Sequence, residues 1–185
     1  MRSVQAFVGA LWICAVGILS AQSVLRKHYA APGACGFTFD YPADWVASAT
    51  GSTGDCRVRV RPLDFDDLKQ DGGEDSYTLE VGREQGDFLE AASKNLFDFV
   101  RGRWIVRETP GLNADATVVN TDRWHGLRGD VTSRCFIPSL GAMAVCEKPA
   151  LVLRDDDDNI WSMMGGPQTQ EPFDAILETF RFVAR

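Results

Sequence analysis

Apolar and polar residues alternate from Cys35 to Tyr41. Phe37, Phe39 and Tyr41 share one side of an extended chain; Thr38 and Asp40 take the other. A period of two predicts a half-buried strand, and Pro42 cannot continue it as a central one. The stretch 49–55, "ATGSTGD", reads as a flexible turn. "CRVRVRP" at 56–62 is the clearest strand, with Cys56, Val58 and Val60 inward and Arg57, Arg59 and Arg61 as an outward basic stripe. "YTLEVGR" at 77–83 is its expected partner, placing Glu80 beside the arginines as cross-strand charge pairing favours. Between them, 64–75 is a short helical turn or an acidic loop.

The period then changes. In "GDFLEAASKNLFDFVRG" at 86–102, Phe88, Leu89, Ala92, Leu96, Phe99 and Val100 recur at helical spacing, which predicts an amphipathic helix over the whole stretch. Asp87 suits its N-cap and Gly102 its end. Strands are predicted at 103–108 and 116–137, the latter divided near Gly126, and again at 141–154 and 159–164. The tail from Glu171 reads as a second helix with Pro172 in its first turn. Its apolar face is Phe173, Ile176, Leu177 and Phe180. Strands, a central helix, more strands and a final helix predict an α+β domain around a mainly antiparallel sheet.

The N-terminus departs from this pattern. Val4 to Leu19 is almost wholly apolar and follows Arg2, and Ala21 and Ser23 are the small residues of a cleavage site. Residues 1–23 therefore read as a secretory signal peptide, because the apolar run of 16 residues is short for a spanning helix, which needs ~20. An uncleaved anchor is the rival, because Arg26 and Lys27 follow the run closely. Residues 24–34 are expected to be a short mobile leader, and 35–185 a single globular domain of ordinary composition, 45% hydrophobic and 24% charged. Losing Arg2 takes the formal charge from −7 to −8. Nucleic acid and anionic membrane surfaces repel such a chain, so no nucleic-acid partner and no stable membrane insertion after cleavage are expected.

Cys14 leaves with the signal, so Cys35, Cys56, Cys135 and Cys146 remain. An even count in an exported chain implies two disulfides. Of three pairings, Cys35–Cys56 with Cys135–Cys146 is expected, because each joins neighbouring segments. Zinc is disfavoured by the lack of C-x-x-C and of histidines at ligand spacing.

Four aspartates run from Asp155 to Asp158 between two strand-like segments. A hairpin turn explains them, since Asp and Asn bond to nearby backbone in turns. The sharper reading is a weak cation site on Asp155, Asp157 and Asn159. However, Ile160 stands where a calcium loop needs glycine, and no late glutamate follows. The arginine stripe of Arg57, Arg59 and Arg61 is a candidate site for an anionic ligand, against the plainer reading of a solvated face. His125, with Asp122 and Ser133 nearby in sequence, suggests a hydrolase triad only by proximity, because no G-x-S-x-G elbow accompanies it. Arg128-Gly129-Asp130 falls inside a predicted strand rather than at a loop tip. No phosphate-binding loop, dinucleotide fingerprint or H-E-x-x-H occurs, and no cofactor is expected.

"FTFDYPADWVAS" at 37–48 resembles the opening of PsbP-like domains, and "FDAILETFRFV" at 173–183 resembles their closing helix. The Ran-binding nuclear import factors share that fold. The resemblance implies an α/β/α sandwich around an antiparallel sheet, and a protein that binds or steadies others rather than an enzyme. No functional motif of the family is matched, so no functional residue carries over. A secretion signal with oxidised cysteines contradicts a nuclear role, and the N-terminus lacks a chloroplast-type transit peptide. The expectation is an exported, disulfide-stapled, non-catalytic domain, periplasmic or extracellular, that binds a protein of the envelope or medium. Trp104, Trp124 or Trp161 would anchor that contact if exposed. A small-ligand or cation binder is the alternative, and a hydrolase the third reading.

Overall fold

The computed structural model describes residues 25–183 apart from 53, 73–75, 108–113, 123 and 138–140. The signal-peptide reading of residues 1–23, Cys14 included, lies outside the described residues. No described helix is long and apolar enough to cross a membrane.

Strands β1 (Arg26–Ala30) and β2 (Phe37–Pro42) are followed by β3 (Trp45–Thr50), β4 (Arg57–Pro62), helix α1 (Phe65–Gly72) and β5 (Leu79–Glu84). Next come helix α2 (Phe88–Lys94), β6 (Phe97–Val100), β7 (Arg103–Val106), β8 (Ala114–Asp115) and β9 (Thr117–Asn120). The chain then forms β10 (Trp124–Ile137), β11 (Ala142–Asp155), β12 (Ile160–Gly165), helix α3 (Gln170–Thr179) and β13 (Arg181–Phe182). The main sheet has seven strands in the order β3-β4-β5-β12-β11-β10-β9, and all its pairings are antiparallel. Two three-stranded sheets, β1-β2-β13 and β6-β7-β8, accompany it. The fold is α+β, as the order of elements predicts.

Alternation along the central strands divides their side chains between two cores. Val58, Val60, Leu79, Val81, Leu151, Leu153, Trp161 and Met163 pack with Phe37 and Phe39 of β2 and with Phe173, Ile176 and Phe180 of the closing segment. Leu127, Val131, Ala150, Val152 and Ile160 pack with Ala91 and Ala92 of α2, Phe97 and Val106. Each face of the sheet is thus closed by one helix and one small sheet. Gly129 of β10 marks how tightly the second face is filled, because a Cβ there would lie 2.3 Å from Val106 Cγ2.

Five segments differ from the sequence reading. Strand β3 is not among the predicted elements, and it takes Ala49 and Thr50 out of the turn read at 49–55 by pairing them with Val58 and Arg57. The leader contains an edge strand: β1 pairs with β2 along its whole length, and Tyr29 stacks on Phe39 at 5.2 Å. Partial burial there raises the Tyr29 pKa. The predicted helix over 86–102 stops at Lys94. Asp87 does cap it, accepting from the Glu90 N–H at 2.8 Å. Leu96 then turns into the left-handed region (φ 68°), and Phe97–Val100 pairs with β7 through the tight turn Arg101-Gly102, both at positive φ. Such a turn matches strand twist, so Gly102 ends a hairpin, not a helix. Leu89, Phe99 and Val100, expected inside, are exposed. The division near Gly126 does not occur; the break falls between β9 and β10. Gly126 sits inside β10 where a Cβ would meet the Val152 carbonyl at 2.6 Å. Finally, the tail helix ends at Thr179, and Arg181–Phe182 returns to pair with β2.

Candidate functional site

The arginine stripe forms on β4 as predicted, but its members do different things. Arg59 pairs across the strands with Glu80, its Nε and a terminal nitrogen donating to Oε1 at 3.0 and 2.7 Å. Arg61 lies over the Phe65 ring at 4.9 Å. Arg57 is held loosely by Glu80, at 3.8 Å. Of the three, only Arg57 lines the open groove of about 740 Å³ at one end of the sheet. Arg83 and Lys94 join it there, with Asp55, Glu84 and Asp158. Three cations facing three carboxylates give an anion no net charge to prefer. Asp55, whose pKa is lowered chiefly by accepting the Ser52 backbone N–H, organises its own loop.

The aspartate run is a turn built around one carboxylate. Asp155 Oδ1 accepts from the backbone N–H of Asp157 and of Asn159, at 3.0 and 2.9 Å, and from Asn159 Nδ2. Asp155 Oδ2 accepts from Asn159 Nδ2 and from Trp161 Nε1, each at 3.0 Å. Asp158 takes the left-handed conformation that closes the turn (φ 60°). A cation on Asp155, Asp157 and Asn159 would have to displace these donors. No group of three or more metal-ligating His, Cys, Asp or Glu side chains converges among the described residues.

His125 is exposed and hydrogen-bonds Asn120 Oδ1 at 3.1 Å. Ser133 is eight residues further along the same strand, ~27 Å at strand rise, so the two cannot share a triad. Arg128 of the RGD tripeptide pairs inward with Asp174 of α3 at 2.5 Å. Trp124 and Trp161 are core residues, and Trp104 is half-buried against Phe88 and Phe99. None of the three is a free anchor.

An exposed apolar patch lies elsewhere. Strands β10 and β11 are each 14 residues long, and they outrun their neighbours. β9 reaches only His125–Arg128, and β12 only Ala150–Arg154. Beyond those points, 129–137 and 142–149 pair only with each other among the described strands, as a two-stranded arm. Cys135 and Cys146 are diagonal neighbours on one face of the arm and are bonded, with Cα atoms 5.9 Å apart. The opposite face carries Arg134, Phe136, Met143, Val145 and Glu147. Phe136 is directly across from Met143 and Arg134 from Val145. Phe136, Met143 and Val145 are 54%, 61% and 65% exposed. Sequence reasoning placed these strands but not this face. Apolar residues alternating in a strand normally point inward, and only the missing third strand shows that these do not.

The pairing Cys35–Cys56 is also present, with both cysteines buried in the first core. No family model matches the chain, and no curated protein matches it significantly. Among solved structures, the chain is similar to cyanobacterial PsbP (CyanoP) from Synechocystis sp. PCC 6803, at 14% identity with a TM-score of 0.48, over 95% of this chain and 98% of that one. That is a resemblance at the level of fold, as the two ends of the sequence implied, and it assigns neither activity nor partner.

Proposed function

We propose that this chain is an exported, non-catalytic domain that works by binding another protein, through the outer face of the β10–β11 arm. The observation that carries this is the contiguous exposure of Phe136, Met143 and Val145 on a strand pair that no other described strand pairs with there. Apolar residues clustered at one surface and rimmed by charge mark protein contacts more often than scattered ones do. Two disulfides support export, since reducing compartments keep cysteines as free thiols. The brace across the arm holds the face in its binding shape, which lowers the ordering cost of a contact.

The test is capture of the C-terminally tagged protein from its own host after mild crosslinking, beside a Phe136→Asp variant. A stoichiometric partner seen with the native chain and lost with the variant is the expected result. A capture pattern unchanged by Phe136→Asp would remove the arm from the reading. Hydrolysis of a defined substrate, abolished by one point mutation, would overturn the non-catalytic part.

A further inference from the structure

We infer that the partner on the outer face of the arm is a second copy of this chain. The inference rests on the proposed reading of that face as a protein contact, and it adds the partner's identity. The face has an apolar centre, Phe136 opposite Met143 with Val145 one step along. Arg134 and Glu147 border it on the side nearer the body, as diagonal neighbours, because Arg134 faces Val145 and Thr132 faces Glu147. Both are exposed, and neither has an ion pair among the described residues.

A two-fold contact uses the same patch on both sides, so each feature must find its complement within the patch itself. This face meets that condition. Apolar centre meets apolar centre, and Arg134 of each copy meets Glu147 of the other, twice. A partner of one charge sign would be served by only half of the rim. The chain as a whole is acidic, at −7, so two copies repel at long range. The contact therefore has to come from local burial and matched charges, and the arm supplies both. Its opposite face is held by Cys135–Cys146, so the surface is formed before the copies meet.

Sedimentation of the purified mature chain over a range of concentrations tests this. The native chain is expected to form a reversible dimer. Phe136→Asp should weaken it by at least about tenfold, as loss of a central apolar anchor does. Arg134→Glu alone and Glu147→Arg alone should each weaken it several-fold by placing like charges together. The double reversal R134E/E147R should restore it, because symmetry re-pairs the swapped charges. All of these side chains are exposed, and far-UV circular dichroism checks that the variants keep the fold. A native chain that stays monomeric to about 500 μM, or a double reversal no tighter than either single one, would overturn the inference. If the chain is monomeric and Phe136→Asp still abolishes capture from the host, the second copy falls and a different protein holds the face. If both fail, the arm is not a contact at all.

Discussion

The two disulfides do opposite jobs. Cys35–Cys56 lies inside the first core and ties the entry of β2 to the entry of β4, two strands of different sheets. Cys135–Cys146 lies outside both cores and ties together two strands that are already paired. A chain-entropy argument does not see this difference. Closing loops of 21 and 11 residues restricts the unfolded chain by about 3 kcal/mol in either case. The difference lies in the native state. Without Cys35–Cys56 the core around it still holds its shape, and the full gain in unfolded entropy is felt. Without Cys135–Cys146 the arm can open locally, and the native state gains entropy as well.

The largest expected effect follows from this. C35A/C56A should lose about 3 kcal/mol in urea unfolding, shifting the midpoint without changing the two-state form. C135A/C146A should lose less than about 1 kcal/mol globally, while amides of 132–137 and 142–148 exchange much faster. Equal global losses, with arm exchange unchanged, would show that the arm is not a separately opening unit. The arm would then be as much part of the body as β2.

The next effect concerns a hairpin packed into both cores whose turn is built by hydrogen bonds to one carboxylate. The turn joining β11 to β12 hangs on Asp155, which accepts five of them. Asp155→Ala leaves the Trp161 indole and two backbone donors without a partner. It should cost about 2 kcal/mol. Asp156→Ala and Asp157→Ala change exposed side chains and should stay within about 0.5 kcal/mol. Thermal melts with and without millimolar calcium separate the turn from a cation site. A calcium-dependent rise in Tm, lost in Asp157→Ala, would favour the cation.

These contrasts also show what was readable in the chain. The strand Arg57–Pro62 was legible because its alternation is strict and arginine is costly to bury, so only one orientation works. The Asp87 cap was legible because its bond is local. The end of α2 was not. Leu96, Phe99 and Val100 fit helical spacing as well as Phe97–Val100 fits a strand, and the choice rests on Phe97 reaching the core beside Val106. "FVRGRWIV" did carry the hairpin signal, apolar runs on either side of a glycine turn. The arm's outer face was invisible for a different reason. Which side of a strand is bare depends on where β9 and β12 stop, and that is set by other parts of the chain. The groove is nonlocal in the same way: Arg57, Arg83 and Lys94 meet only once β4, β5 and α2 are assembled.

The smallest effect concerns a hairpin that neither disulfide touches. β6 and β7 are held by Phe97 from below and by an ion pair at the open end, Arg107 to Asp98 at 2.7 Å. The Arg107 hydrogen bond is the main cause of the lowered Asp98 pKa, with its charge and a Ser93 bond adding to it. A carboxyl whose folded pKa lies below its unfolded one contributes stability above the unfolded value, near 3.8. That contribution is lost as pH falls through the depressed folded value. Native chain and Arg107→Gln should therefore differ at pH 6 and converge as pH falls below 3.8 through the depressed folded value. Both side chains are about a third exposed or more, so screening keeps the difference under about 1 kcal/mol. A gap that persists undiminished at low pH would mean that Arg107 works by packing its stem against α2, not by its charge. The β6–β7 hairpin would then be held by burial alone, leaving the arm as the one hairpin of the three whose shape depends on a covalent brace.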